Sequence, residues 1–261
     1  MKLYSFDLPA HRARASQRRS HPSGFSLVEL LIAIFITLFL VAGMLGIIVS
    51  MRGSFSTQDQ LERIQENERF ALTVLDNTIR DAGFFSNPTA TTSAVAFPVP
   101  PTANPDGTTF VASQVVSGTT GPASASDTVN VRFQTSSGDG LMNCLGDTNT
   151  SGGVVTWTNS FAVNASNQLV CAVSINGGAA STAVVLVDNV ASMKVLDGVD
   201  TNADGSADKY VTSSGITAPP AWTDVSSVQL KITFQDLINS KTGMPVSLPT
   251  LTHNISLMNR P

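Results

Sequence analysis

The chain has 261 residues, 42% of them hydrophobic and 13% charged, with a formal net charge of −4. That length holds one substantial domain or two small ones. The acidic balance argues against a general nucleic-acid binder, which would carry a basic stripe.

The charge is uneven along the chain. Residues 1–24 carry Lys2, Arg12, Arg14, Arg18 and Arg19 against Asp7, a formal +4, while residues 25–261 carry ten basic and eighteen acidic side chains. Leu30–Val49 is a run of twenty residues without a charge. As a helix it spans about 30 Å, the thickness of a bilayer core. The basic leader predicts a cytoplasmic N-terminus and an exported C-terminal bulk. A cleaved secretory signal fits poorly, because the run is long for one and only the weak "VSMRGSFS" follows it. Glu29 stands at the head of the run, where a charge at bilayer depth costs about 3 kcal/mol unless it finds a partner.

Helical spacing continues beyond Arg52 through Leu61, Ile64, Ala71, Leu72, Leu75 and Ile79. Glu62, Arg63, Glu66, Glu68, Arg69 and Arg80 between them read as a solvated face. Gly83 and Pro88 are stop signals. One helix is therefore predicted from about Phe25 to about Asp81, apolar all round in its first half and amphipathic in its second. Gly43, Gly46 and Gly53 are weak points where it can bend or melt, each costing up to about 1 kcal/mol relative to alanine.

After Gly83 the composition turns to Ser, Thr, Gly, Asn and Pro. "NPTATTSAVAFPVPPTANPDG" (87–107) reads as a surface loop or mobile excursion. Strands are predicted at 128–134 (Val129, Val131 and Phe133 on one face), 154–163, 168–175, 182–190 (the more buried one), 227–235 (Val228, Leu230, Ile232 and Phe234 in period two) and 253–258. This is the pattern of an antiparallel sheet with long loops. The Leu61–Ile79 stripe is the available cover for its apolar face.

Cys144 and Cys171 both lie in the part predicted to be exported, where a disulfide is the natural pairing. Closing that loop contributes about 3.5 kcal/mol in the chain-entropy model. Two free thiols or a metal pair are the alternatives, without a CxxC spacing or a nearby histidine to favour metal. "DTNADGSAD" (200–208) sets Asp200, Asn202, Asp204 and Asp208 around Gly205, with the Ser206 carbonyl in reach. That is the first part of a calcium loop of the short D-x-N-x-D-G-x-x-D kind. It lacks the closing Glu of an EF-hand, Val211 standing there, and a polar hairpin turn is the alternative. No P-loop, G-x-G-x-x-G, H-E-x-x-H or G-x-S-x-G occurs. His253 is the single histidine beyond the leader, and no enzyme is predicted.

Gly24, Phe25 and Glu29, between a basic leader and a spanning helix, resemble the start of a type IV pilin. "GFSLVELLIAI" is similar to the superfamily's processing motif. The resemblance implies cleavage after Gly24 by a membrane prepilin peptidase, N-methylation of Phe25 by the same enzyme, and pairing of Glu29 with the new ammonium group in assembly. "LMNCLGD", "NSFAVNASNQLVC", "LVDNVASMKVLDGVDTNADGSADKYV", "WTDVSSVQLKI" and "NISLMNR" resemble PilW-type minor pilins, relatives of the J-type minor pseudopilins of type II secretion. Met258 departs from that pattern, where a basic residue is expected.

The implied fold is α+β, a long N-terminal helix with a membrane-spanning first half packed on a C-terminal antiparallel sheet domain. Its parts are a leader (1–24), a spanning half-helix (25–52), an amphipathic half-helix (53–83) and a β-rich domain (84–261). The implied role is structural: priming pilus assembly at a tip complex with other minor pilins, the major pilin and the inner-membrane assembly platform. The implied location is the inner membrane and then the pilus. No cofactor is required, and residues 200–208 are the one candidate site for a structural Ca²⁺. The rivals are a type II secretion pseudopilin, a tip adhesin using loops 87–127, and a single-pass exported protein not cut at Gly24.

Overall fold

The computed structural model describes residues 24–123, 125–217, 221–236, 246–247 and 250–257. The leader up to residue 23 and Met258 lie outside them. The chain divides into two units, Met1–Phe55 and Ser56–Pro261.

Helix α1 runs Leu27–Arg80. In the first unit it is built of Leu, Ile, Ala, Phe and Met, and helical structure continues across Gly43, Gly46 and Gly53. Every residue of Gly24–Phe55 is exposed. Leu27–Phe55 is long and apolar enough to cross a membrane.

In the second unit α1 buries one stripe, with Ile64, Ala71, Leu75 and Ile79 all in the core. Leu61, predicted on that stripe, is instead 41% exposed. The helix ends where Gly83 takes φ +83°. That left-handed residue suits glycine at a helix C-terminus. Its N–H donates to the Arg132 carbonyl at 3.0 Å, tying the helix end to a strand.

The strands form two antiparallel sheets rather than the one predicted. The first is a meander of β1 (Val116–Ser117), β2 (Val129–Ser136), β3 (Val154–Val163), β4 (Leu169–Ile175) and β5 (Val184–Val187) in that order. The second orders β10 (Leu251–Ser256), β8 (Val225–Asp236), β6 (Val190–Val199) and β7 (Lys209–Val211), with β9 (Val246–Ser247) also paired to β8.

The apolar run 182–190 is where the sheets part. Asn189 has φ +64° and breaks the run. Before it, β5 is an edge strand with Val184 and Val185 exposed, not the buried strand expected. After it, β6 enters the second sheet between β8 and β7, although Lys194, Asp197 and Gly198 conceal its strand character in the sequence. Strand β8 keeps the expected period, with Val228, Leu230, Ile232 and Phe234 buried.

One core joins α1 to both sheets. It includes Leu75 and Ile79 from the helix, Val131, Phe161 and Leu169 from the first sheet, and Met193, Leu230 and Ile255 from the second. The first sheet is also covered on its other face. The proline-rich stretch packs there, with Phe97 and Phe110 almost wholly buried. Asn130 and Arg132 on β2 are buried beneath it, so β2 is buried on both faces along its first five residues. Residues 87–107 thus lie over the sheet as a lid anchored at Ala96 and Phe97 with most of their side chains exposed, the surface loop that the sequence offered.

Candidate functional site

The N-terminal site starts from backbone chemistry. Ser26 precedes the first turn of α1, its Oγ accepting the Val28 N–H at 3.2 Å and its carbonyl accepting the Leu30 N–H at 3.1 Å. Ser26 is therefore the N-cap, and Glu29 is the third helical residue. Ser-x-x-Glu is the capping-box spacing, and the helix dipole favours a carboxylate in the first turn. Sequence reasoning focused on Glu29 alone and missed Ser26, although this spacing was visible. Phe25, just before the cap, is 83% exposed. A Cβ added to Gly24 would meet nothing within 4 Å, and its φ is not positive. The fold around Gly24 therefore does not require glycine.

Cys144 and Cys171 are joined by a disulfide with Cα atoms 6.5 Å apart. It fastens the loop around Cys144 to β4 beneath it. The loop is ordered by its own Asn143, whose Oδ1 accepts the N–H groups of Leu145 and Asp147, and by Asn159 on β3, whose Oδ1 accepts that of Cys144 at 2.9 Å.

Asp200–Asp208 connects β6 to β7. Asp200 accepts backbone N–H groups from Asn202 and Ala203 on Oδ1 and from Gly205 on Oδ2. Asp204 accepts from Ser206 N and Asn202 Nδ2. Asp208 accepts from the Thr201 N–H and hydroxyl, both at 2.7 Å, and from Asn202 Nδ2. The hydrogen bonds from Thr201 hold the Asp208 carboxyl below its ordinary range. All six carboxylate oxygens are thus engaged by the turn's own donors. Among the described residues no group of three His, Cys, Asp or Glu side chains is gathered as a metal would need. As placed, the side chains close the hairpin turn on itself.

His253 lies on the edge strand β10, its Nε2 3.0 Å from Asp76 Oδ1 on α1. Arg80 also holds Asp76, at 2.9 and 3.0 Å. Burial raises the Asp76 carboxyl, but the hydrogen bonds from His253 and Arg80 outweigh it and leave the pKa lowered. This cluster locks helix to sheet and has no nucleophile in it.

Comparison with known proteins agrees with these features at both ends of the chain. The model of the prokaryotic N-terminal methylation motif matches residues 19–45. The model of the type IV pilus-assembly protein W family matches residues 154–255, which run from β3 to β10. No curated protein matches. A solved type IV-like pilin from Thermus thermophilus is similar at 13% identity, with a TM-score of 0.44 over 76% of this chain and 96% of that one. Over those two stretches, the methylation motif around Gly24 and Phe25 and the segment from β3 to β10, this chain is similar to N-terminally methylated prokaryotic proteins and to the type IV pilus-assembly protein W family.

Proposed function

We propose that the chain is a minor subunit of a type IV pilus, which primes assembly in a complex with other minor pilins and then occupies the filament tip. The observation that carries this reading is the uncovered apolar helix Leu27–Phe55, with one carboxylate at its head directly behind the processing motif. A helix apolar all round is stable only in lipid or among other helices.

Hydrolysis of the Gly24–Phe25 amide by prepilin peptidase would release Gly24 as a carboxylate with the leader and leave Phe25 as an ammonium. N-methylation keeps that positive charge. Glu29 lies four residues on, within the reach of one helical turn. In a helix bundle the ammonium and the carboxylate then lower each other's burial cost, within one chain or between neighbours, and removing either strands the other. The role is structural: the second unit adds bulk and surface, not chemistry.

Mass spectrometry of filaments sheared from cells is the test. The expected result is a chain beginning at N-methyl-Phe25, at low abundance relative to a major subunit. The same processed chain confined to the membrane fraction would point to a secretion pseudopilin. An intact leader in a competent cell would refute the assignment.

A further inference from the structure

Arg132 lies on the lidded face of the first sheet and is only 3% exposed. No carboxylate among the described residues pairs with it. Its charge is met by carbonyls and rings. Nε donates to Gln114 O at 2.6 Å, Nη1 to Pro98 O at 2.7 Å, and Nη2 to Phe97 O at 3.1 Å and Val111 O at 2.9 Å. The guanidinium carbon lies 5.4 Å from the Phe97 ring centroid and 4.6 Å from that of Phe110. A guanidinium has five N–H groups, so one on Nη1 is left over. Burial lowers the pKa to about 10, which keeps the group charged at neutral pH.

The same arginine lines a cavity of about 220 Å³. Thr158 is its direct partner across the β2–β3 ladder and Thr156 is two residues along, so both line the cavity from the sheet face that Arg132 shares. Among the described residues neither hydroxyl has a hydrogen-bond partner. Asn176, also in the lining, accepts the Thr156 N–H through Oδ1 at 2.8 Å and keeps its amide donors. The other wall is apolar, with Val99, Pro100 and Pro101, and no acidic residue lines the space. Hydroxyl and amide donors, one buried positive charge and an apolar wall are complementary to an anion on a hydrocarbon body. The small volume and the single spare guanidinium N–H favour a monoanion with two oxygens over a phosphate.

We propose that this cavity binds a carboxylate carried on a small apolar body, the anion facing Arg132, Thr156 and Thr158 and the body lying on the Val99–Pro101 wall. The site is independent of the pilus reading. Two sources carry that chemistry, a free short-chain acid and the C-terminus of a peptide ending in an apolar residue.

The test is calorimetric titration of the full-length protein in detergent with isovalerate, with acetyl-Gly-Ala-Val, and with the C-terminal amide of that peptide. At least one acid is expected to bind about tenfold more tightly than the amide, since hydrogen bonds to a charged group are lost with the charge. Arg132→Lys would remove the bonds that hold the lid, so Thr156→Val with Thr158→Val carries the test. Valine matches threonine in shape and puts a methyl group in place of the hydroxyl. The double variant is expected to melt within a few degrees of the parent and to bind the acid about tenfold more weakly. Tight binding of isovalerate supports a free acid as ligand, and binding of the peptide alone supports a chain terminus. Absence of saturable binding by both acids, equal binding of acid and amide, or unchanged affinity in a folded double variant would overturn the proposal.

Discussion

Asp197 sits on β6 almost wholly buried, one oxygen accepting the Ser213 hydroxyl at 2.8 Å and the other without a hydrogen-bond partner. Burial, with the nearby Asp127 charge, pushes its pKa up to about 7. The folded state therefore holds this proton more tightly than the unfolded chain does. Its contribution to stability is fully present below about pH 4 and is lost as pH rises towards 7. Asp76 and Asp106 have lowered pKa values and act in the opposite sense, losing their contribution as pH falls through the ordinary carboxylate range. Asp197→Asn is expected to flatten the decline between pH 4 and 7 and to stabilise the protein at pH 8 by on the order of a few kcal/mol. Denaturant unfolding at pH 5 and pH 8 checks this, and an equal loss at both pH values would contradict it. Nothing in the local sequence marks Asp197 as different from Asp200 three residues on. Both are buried; Asp200 accepts backbone N–H groups of its own turn on both oxygens, whereas Asp197 is enclosed by segments far away in the chain with one oxygen left without a hydrogen-bond partner.

At the scale of elements, α1 shows which half of an amphipathic pattern is used. Leu75 is fully buried while Leu61 is 41% exposed, although both fit the same helical stripe. Leu75→Ala is expected to cost about 2–5 kcal/mol, and Leu61→Ala no more than about 0.5 kcal/mol. Thermal unfolding of the two variants decides it. The β6–β7 turn carries the calcium-loop spacing, and the melting temperature with added Ca²⁺ tests it: a rise that Asp204→Ala abolishes is expected of the calcium loop read from the sequence, an unmoved value of a plain hairpin turn. The bounds of β3 and the face of β8 were legible because each is a long alternating run. The course of β6 was not, because Lys194 and Asp127, 3.1 Å apart, satisfy each other only once the strand is in place.

At the scale of the whole molecule, the N-terminal motif and the folded unit make separate demands on the sequence. A Cβ at Gly24 meets no atom within 4 Å, so a bulky substitution there is expected to leave folding untouched and, on the proposed reading, to act on the enzyme that reads the site. Gly24→Leu is expected to keep the leader attached and to hold the protein in the membrane fraction with its disulfide intact. N-terminal mass determination and non-reducing electrophoresis of that fraction check both halves of the expectation. Normal processing of Gly24→Leu would contradict the peptidase reading.

What the sequence determined by itself was local: the carboxylate at the head of α1, the helical period, the two-residue period of the longer strands, and a cysteine pair in the segment after the apolar helix. Each depends on residues a few positions apart, or on composition alone. The number of sheets, the proline-rich lid, the buried Arg132 and the raised carboxyl of Asp197 were decided only by tertiary structure. Their physical cause is desolvation and hydrogen bonding between segments distant in the chain, and neighbouring residues carry no record of that.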